Sequence, residues 1–283
     1  MRKKILIPTD FSKNAWGAIG YAIDLFKNES CDFYILNVYS VDAYEIEQLL
    51  LTFPDRSLFE IAEENSELGL KKISQRISFR DESLDHQYFY ISQQNDLIPA
   101  MKDLVEKKDI SLIVMGTKGG TDALNVAFGS NTVKVMEQIR NCPVLAIPPN
   151  VIFTDPNEIV FPTSFRTHFK RRELNHLIEI AKLTNSPIRV LHIKKEAELD
   201  EEQLNYKELL TECLDDVEFT FHSLEDNNIK KALQIFAESR GSEMIAFINK
   251  KHTIFDNIFS TPMVKKVGLT TKVPLLAMHD LRN

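Results

Sequence analysis

The sequence lacks the features of a disulfide scaffold, a membrane protein or a nucleic-acid-binding protein. Its three cysteines, Cys31, Cys142 and Cys213, stand far apart and form no CxxC pair, so we expect reduced, buried side chains. No run approaches the roughly 18 apolar residues of a membrane helix, and the first residues contain no signal-peptide core. Acidic residues outnumber basic ones by 41 to 34, a balance that repels a phosphate backbone. We therefore expect a cytoplasmic protein without a membrane or nucleic-acid partner.

What the sequence does contain is a long internal repeat. The segments KKILIPTDFS (3–12) and NEIVFPTSFR (157–166) are both a short apolar strand followed by Pro-Thr. A helical pattern follows each segment, and Ser12 is placed to cap the first of these helices. Four further strands are predicted in each half, with helical patterns between them. They are 33–40, 87–92, 111–116 and 142–149 in the first half, and 188–195, 218–223, 243–248 and 273–280 in the second.

Short apolar strands that alternate with amphipathic helices indicate parallel sheets covered on both faces. We therefore predict an α/β fold of two tandem, doubly wound, five-stranded parallel-sheet domains, each a Rossmann-like three-layer sandwich. The predicted domains are residues 1–149 and 150–283, joined by a proline-containing connection at about 148–157. The first domain carries an extra charged helical stretch within 42–80, beginning around Tyr44, which the second domain largely lacks.

The pattern that carries chemistry follows the fourth strand of the first half. Gly116, Gly119, Gly129 and Ser130 form the spacing G-x2-G-x9-G-S. Glycines at a strand end permit a sharp turn and let backbone N–H groups approach an oxygen-rich ligand. Residues 129–132 then begin a helix, whose N-terminus favours an anion. The pattern is neither a Walker P-loop nor the Rossmann GxGxxG, and it predicts a phosphate site, the alternative being a tight loop without a ligand.

Together with Pro-Thr-Asp at 8–10 and Pro-Val-Leu at 143–145, this spacing resembles the universal stress protein family. The resemblance covers the whole chain as two copies. It implies an adenine nucleotide alpha hydrolase-like fold and, in one branch of the family, bound ATP, with or without Mg²⁺. The family pairs two domains through their last strands. That pairing would place 142–149 beside 273–280 in an internal pseudo-dimer, and a further homodimer is left open.

The resemblance also implies which residues would hold the nucleotide. Pro8, Thr9 and Asp10 would lie near the ribose, and Val38, taken to lie just past the second strand, beside the adenine. The phosphates would be held by Gly116, Thr117, Lys118, Gly119, Gly129, Ser130, Asn131 and Thr132. The residues alone leave alternatives open, because Asp10 could be only a helix cap and Lys118 only a solvated loop residue. No catalytic residue and no metal ligand is assigned.

The second half has lost this pattern. Gly116 is replaced by Ile248, Gly119 by Lys251, Gly129 by Ser260 and Asp10 by Ser164. Side chains in place of glycines fill the space that phosphates need. We therefore predict a degenerate domain that does not bind ATP in the usual way and serves as a built-in partner of the first.

Two other features of the second half have more than one interpretation. His192 and His252 lie at or beyond strand ends and could face the vestigial site together, although no Cys/His spacing favours a metal or an acidic ligand there. A basic run is either a solvated helix face or a dock for an anion or acidic partner. It consists of Arg166, His168, Lys170, Arg171 and Arg172.

The expected function is binding rather than catalysis. ATP hydrolysis needs a base or a water-orienting residue at the γ-phosphate, and besides Asp10 only Asp122 is a candidate. We expect an ATP-binding stress-response regulator, with slow hydrolysis left open. The alternative is a structural or partner-docking tandem protein whose glycine loop is vestigial too. An electron-transfer flavoprotein is disfavoured because PTDFSKN (8–14) is not a hydroxyl-rich phosphate loop.

Overall fold

The computed structural model describes residues 2–40, 57–81, 83, 85–118, 129–194, 198–226, 228–249 and 273–279. The strands are β1 (Lys3–Pro8), β2 (Cys31–Tyr39), β3 (Gln87–Gln94), β4 (Leu112–Gly116), β5 (Val144–Ile147), β6 (Ile159–Thr163), β7 (Ile188–Lys194), β8 (Phe219–Glu225), β9 (Met244–Asn249) and β10 (Leu275–His279). The helices in these ranges are α1 (Lys13–Leu25), α2 (Leu58–Ser78), α3 (Leu97–Lys108), α4 (Ser130–Gln138), α5 (Arg171–Thr184), α6 (Glu201–Cys213) and α7 (Ile229–Arg240).

The ten strands form one sheet in the order β3-β2-β1-β4-β5-β10-β9-β6-β7-β8. Neighbouring strands are parallel within each group of five. At the centre of the sheet β5 and β10 are antiparallel, with Leu145 opposite Leu276. The carboxyl ends of the first five strands therefore lie at one edge of the sheet, and those of the second five lie at the opposite edge.

Two hydrophobic clusters cover the two faces of this sheet. Because side chains alternate along a strand, Ile5 and Ile7 belong to one cluster and Leu6 to the other. Residues of α1, α2, α5 and α6 pack on the first face, and residues of α3, α4 and α7 on the second. Each cluster contains residues of both halves, so the halves share a continuous core.

Within the described residues the predicted elements agree with the observed ones to within a few residues, and the helix predicted between 243–248 and 273–280 lies outside them. Ser12 caps α1, where its Oγ accepts a hydrogen bond from the N–H of Ala15 at 3.1 Å. One placement is wrong: Val38 lies inside β2 rather than past its end, because β2 continues to Tyr39. The predicted start of the long helical stretch around Tyr44 lies outside the described residues. None of the helices in the described part of the chain could span a bilayer.

Two arginines of the basic run of the second half form ion pairs with acidic residues of the same half. Arg166 forms an ion pair with Asp200 at 3.0 Å. Arg171, the first residue of α5, contacts Asp215 at 2.9 Å and Asp216 at 2.8 Å. These pairs favour the interpretation of the run as a solvated helix face over a dock for an anion.

One buried carboxylate joins several elements of the second half. Glu158, just before β6, accepts hydrogen bonds from Arg189 on β7, from Arg240 at the end of α7 and from Ser242 before β9. Burial alone would raise the pKa of Glu158, but the hydrogen bonds from Arg240, Ser242 and Arg189 outweigh it and lower that pKa to about 2. The Glu158 carboxylate is therefore ionised and ties three strands to a helix.

We expect Glu158→Gln to lower the free energy of unfolding by about 3 kcal/mol at neutral pH, because it leaves two arginines without their shared anion. A carboxyl group with a lowered pKa stabilises the fold fully above its ordinary pKa of 4.5 and loses that effect as the pH falls toward about 2. The difference between wild type and variant should therefore shrink over that range in urea unfolding measured at several pH values.

The matched control is Glu218→Gln, which removes an exposed carboxylate 3.8 Å from Arg189. A surface pair of this kind contributes about 0.5 kcal/mol or less. Equal losses of stability in the two variants would contradict the role assigned to Glu158.

Candidate functional site

The residues predicted to hold the nucleotide gather at the carboxyl ends of β1, β2 and β4. The chain leaves β1 toward β2 and β3 on one side, then crosses back to β4 on the other side of β1. In open α/β sheets ligands bind in the crevice at such a reversal of strand order. The fold therefore places the sequence motifs where this architecture binds its ligands.

The turn after β1 is built from side chains that bond to the backbone two residues later. The Thr9 Oγ1 accepts a hydrogen bond from the N–H of Phe11 at 3.1 Å, and the Asp10 Oδ1 accepts one from the N–H of Ser12 at 3.0 Å. Phe11 has a positive φ of 64°. This turn buries Thr9 and leaves Asp10 exposed at the strand end.

Sequence reasoning missed two buried amides that hold this edge of the sheet. Asn37, near the end of β2, donates from Nδ2 to the carbonyl oxygen of Thr9 at 2.7 Å. Asn14, in the first turn of α1, donates from Nδ2 to the carbonyl oxygen of Ile147 at 3.0 Å and accepts the N–H of Lys118 at 2.9 Å. An amide flanked by apolar residues in the sequence is the signal that could have pointed to Asn37, whereas Asn14 follows Ser12 and Lys13 and has no such signal.

Gly116 is required at the end of β4 by the position of Asn14. A Cβ at residue 116 would lie 2.7 Å from the Oδ1 of Asn14 and 3.1 Å from its backbone carbonyl carbon. Such distances are shorter than contact distances between these atoms in proteins. Packing against Asn14 therefore requires glycine at this position, whether or not a ligand binds.

The start of α4 is joined to the end of β4 by hydrogen bonds of the backbone and of Thr132. The N–H of Gly129 donates to the carbonyl oxygen of Thr117 at 2.7 Å. The Thr132 hydroxyl, one of the groups predicted to hold the phosphates, donates to the carbonyl oxygen of Gly116 at 2.9 Å. Ser130 and Asn131 are exposed. Of the predicted phosphate residues, these two keep exposed side chains at the helix start.

Thr117 and Lys118, two further residues predicted to hold the phosphates, directly follow β4. Thr117 is 1% exposed, and its hydroxyl has no hydrogen-bond partner among the described residues. Lys118 is half-buried next to it. Gly119 and Asp122 fall outside the described residues, as do His252, Lys251 and Ser260 of the second half.

Val38 is half-buried near the end of β2 and packs against the cluster that α3 and α4 cover. On the other face of the sheet, α2 reaches the same strand end. Burial, together with the charge and the hydrogen bond of Glu63 on α2, raises the pKa of Tyr39. The end of β2 is therefore bordered by α2 as well as by the turn after β1.

The second half repeats the turn but closes its strand end. The Thr163 Oγ1 accepts the N–H of Phe165 at 3.1 Å, and Phe165 has a φ of 55°. Phe165 is only 2% exposed, against 39% for Phe11, and its ring packs 5.1 Å from that of His192. Gln203 on α6 donates to the carbonyl oxygen of Ser164 at 2.8 Å. The space beside β6 is thus filled by protein.

Strand register identifies the residue that stands where Gly116 would be. Gly116 on β4 lies opposite Ile147 on β5, and Ile248 on β9 lies opposite Met278 on β10. Ile248 is therefore the structural equivalent of Gly116, as the sequence alignment predicted. His192, whose Nδ1 donates to the carbonyl oxygen of Thr163 at 2.9 Å, is likewise the equivalent of Asn37.

Comparisons with known proteins point to one family. The model of the universal stress protein family matches residues 1–148. The chain is 28% identical over 145 residues to a universal stress protein of Methanocaldococcus jannaschii, covering 51% of this chain and 81% of that relative.

Two solved structures are similar to the chain over nearly its whole length. A universal stress protein from Archaeoglobus fulgidus has a TM-score of 0.68 and 17% identity, with 97% of each chain covered. A functionally unknown protein from Pseudomonas aeruginosa has a TM-score of 0.62 and 13% identity, covering 98% of this chain and 92% of its own. These two likenesses show that the whole chain shares their fold.

We expect Gly116→Ala to lower the free energy of unfolding by about 1–3 kcal/mol, because the new methyl group overlaps Asn14. In an Asn14→Ala background the overlap with Oδ1 is gone, so the loss caused by Gly116→Ala should be smaller by at least about 0.5 kcal/mol. Chemical denaturation of the two single variants and the double variant measures this coupling. Strict additivity would contradict the contact.

The control for this experiment is Gly17→Ala. A Cβ at Gly17, in the interior of α1, meets no atom within 4 Å. Alanine there should leave stability unchanged or raise it by up to about 1 kcal/mol, the difference in helix propensity.

Proposed function

The chain belongs to the universal stress protein family, and we propose that it binds ATP or a related adenine nucleotide at the carboxyl ends of β1, β2 and β4. In this proposal it is a stress-response regulator in the cytoplasm rather than a dedicated catalyst. One nucleotide, with or without Mg²⁺, binds per chain. The second half is an internal partner of the first.

The observation that carries the proposal is the start of α4, where no side chain among the described residues caps the helix. Its N-cap is Gly129, which has no side chain to satisfy the first backbone N–H groups of the helix. These N–H groups lie at the positive end of the helix dipole and point out of the helix along its axis. Helix starts of this kind bind phosphate in other proteins. The other described helices have N-cap residues with side chains, and those of Ser12 and Asp200 accept hydrogen bonds from the first turns of α1 and α6.

The groups around this helix start suit the rest of a nucleotide. Asp10 is exposed at the end of β1, one strand away, and a carboxylate accepts hydrogen bonds from ribose hydroxyls. The buried Thr117 hydroxyl and the Lys118 side chain follow β4 directly. In the proposal, the ribose lies at β1, the adenine near Val38 on β2, and the phosphates at α4.

Regulation by occupancy follows from where this site lies. The bound nucleotide would contact the turn after β1 and the start of α4, two segments at the surface of the first half. Its presence or absence changes the surface that a protein partner meets. Hydrolysis is not required for such a signal.

A structural or partner-docking role without nucleotide is the second candidate, and one observation favours it. Gly116 is needed to accommodate Asn14 whether or not a ligand binds. The glycine motif is therefore compatible with a protein that keeps its loop geometry but has lost its ligand. Nucleotide titration separates the two candidates.

We expect isothermal titration to give one ATP per chain, and Asp10→Ala to weaken binding about tenfold or more, the effect of losing a hydrogen bond to a charged group. The matched control is Ser164→Ala. Asp10 accepts the N–H of Ser12 and Ser164 accepts that of Arg166, so each variant removes the same local hydrogen bond. Ser164→Ala should leave ATP affinity unchanged.

Native mass spectrometry of the protein as purified gives an independent measurement. We expect a retained adenine nucleotide in the wild type and a reduced amount in Gly129→Val, because valine would cover the start of α4. The φ of −64° at residue 129 is one that valine adopts, and the melting temperature of the variant checks that it folds. No binding by wild type, or equal heats from wild type, Asp10→Ala and Gly129→Val, would leave the structural role as the better account.

A further inference from the structure

The end of α4 farther from the candidate site is held by the second half of the chain. Arg140, just after α4, donates from Nη2 to the backbone oxygen of Asn249 at 2.6 Å. In return, Asn249 donates from Nδ2 to the backbone oxygen of Met136 at 3.0 Å. Met136 lies in the last turn of α4, where carbonyl groups lack partners within the helix. Asn249 therefore caps α4 from the other half.

The central strand pair makes this contact possible. Because β5 and β10 are antiparallel, the amino-end edge of the first half is the carboxyl-end edge of the second. The α4 helix begins at the carboxyl ends of the first five strands and runs back across the sheet. Its last turn therefore arrives beside the end of β9, where Asn249 is the final residue.

Asn249 occupies the position in the second half that Thr117 occupies in the first. It follows Ile248, the equivalent of Gly116, and lies opposite His279 on β10. In the first half this position begins the loop of the candidate site. In the second half the same position carries an amide that contacts the helix of the other half.

We propose that Asn249 and Arg140 are positioning residues for the nucleotide site of the first half. They hold the last turn of α4, and so they set where the N–H groups of its first turn lie. The helix has nine residues, about 14 Å at 1.5 Å per residue, and its two ends move together as one short rigid element. This inference rests on the proposed function, because it assigns a way in which the second half acts on that same site.

The effect should be confined to the phosphate end of the ligand. Thr9 and Asp10 follow β1 and Val38 lies in β2, so the residues proposed for the adenosine part belong to other elements. A displacement of α4 would alter contacts to phosphate oxygens and leave contacts to ribose and adenine in place. Comparing ATP with adenosine therefore separates a positioning effect from a general loss of folding.

We expect Asn249→Ala to weaken ATP binding about 3- to 10-fold, the range for loss of one hydrogen bond, and to leave adenosine binding unchanged. Arg140→Gln, which removes the guanidinium donor, should act in the same direction. Isothermal titration of each variant with ATP and with adenosine gives the ratio of the two dissociation constants.

Asn228→Ala is the matched control. Asn228 caps α7 in the same half by accepting the N–H of Lys231 at 3.1 Å, and its loss costs about 1 kcal/mol of stability without touching α4. This variant should lower the melting temperature and keep the wild-type ratio of ATP to adenosine affinity.

The outcomes distinguish this inference from the proposed function. Failure of the wild type to bind ATP overturns both. If the wild type binds ATP and both Asn249→Ala and Arg140→Gln keep the wild-type ratio of ATP to adenosine affinity, only the positioning role is overturned. An equal loss of ATP and adenosine affinity in these variants also overturns only the positioning role. If Asn249→Ala does not fold, the ratio in Arg140→Gln decides by itself.

Discussion

The antiparallel pairing of β5 with β10 is the constraint on which the rest of the structure depends. It joins two parallel five-stranded groups into one sheet and lets both hydrophobic clusters run through both halves. It also turns the carboxyl ends of the two groups to opposite edges. The candidate site and its closed counterpart therefore lie far apart in the sheet, while the end of α4 reaches the last residue of β9.

The candidate site is organised by buried amides more than by charges. Asn14 and Asn37 each bond to backbone groups at neighbouring strand ends, which offsets the cost of burying a polar side chain. In the second half His192 stands at the position of Asn37, and the buried ring of Phe165 packs against it. The two halves keep the same turn after their first strand, and they differ in the exposure of its phenylalanine, 39% for Phe11 and 2% for Phe165.

Much of the fold could be predicted because its signals are local. The alternation of short apolar strands with amphipathic helices, the Ser12 cap and the strand-end position of the glycine motif depend on residues close together in the chain. Asn14 and Asn249 were missed because their partners are distant: Lys118 lies 104 residues from Asn14, and Met136 lies 113 residues from Asn249.

The sequence by itself determined the repeat, the α/β architecture and the half that keeps the glycine motif, because periodicity and glycine spacing are written along the chain. Only the tertiary structure decided that both hydrophobic clusters run through both halves, that Thr132 bonds within the protein, and that Gly116 is needed beside Asn14. It also decided that Phe165 and His192 close the second strand end, and that Asn249 caps α4. These features depend on which side chains meet across strands and between halves, and such distances exist only once the chain has folded.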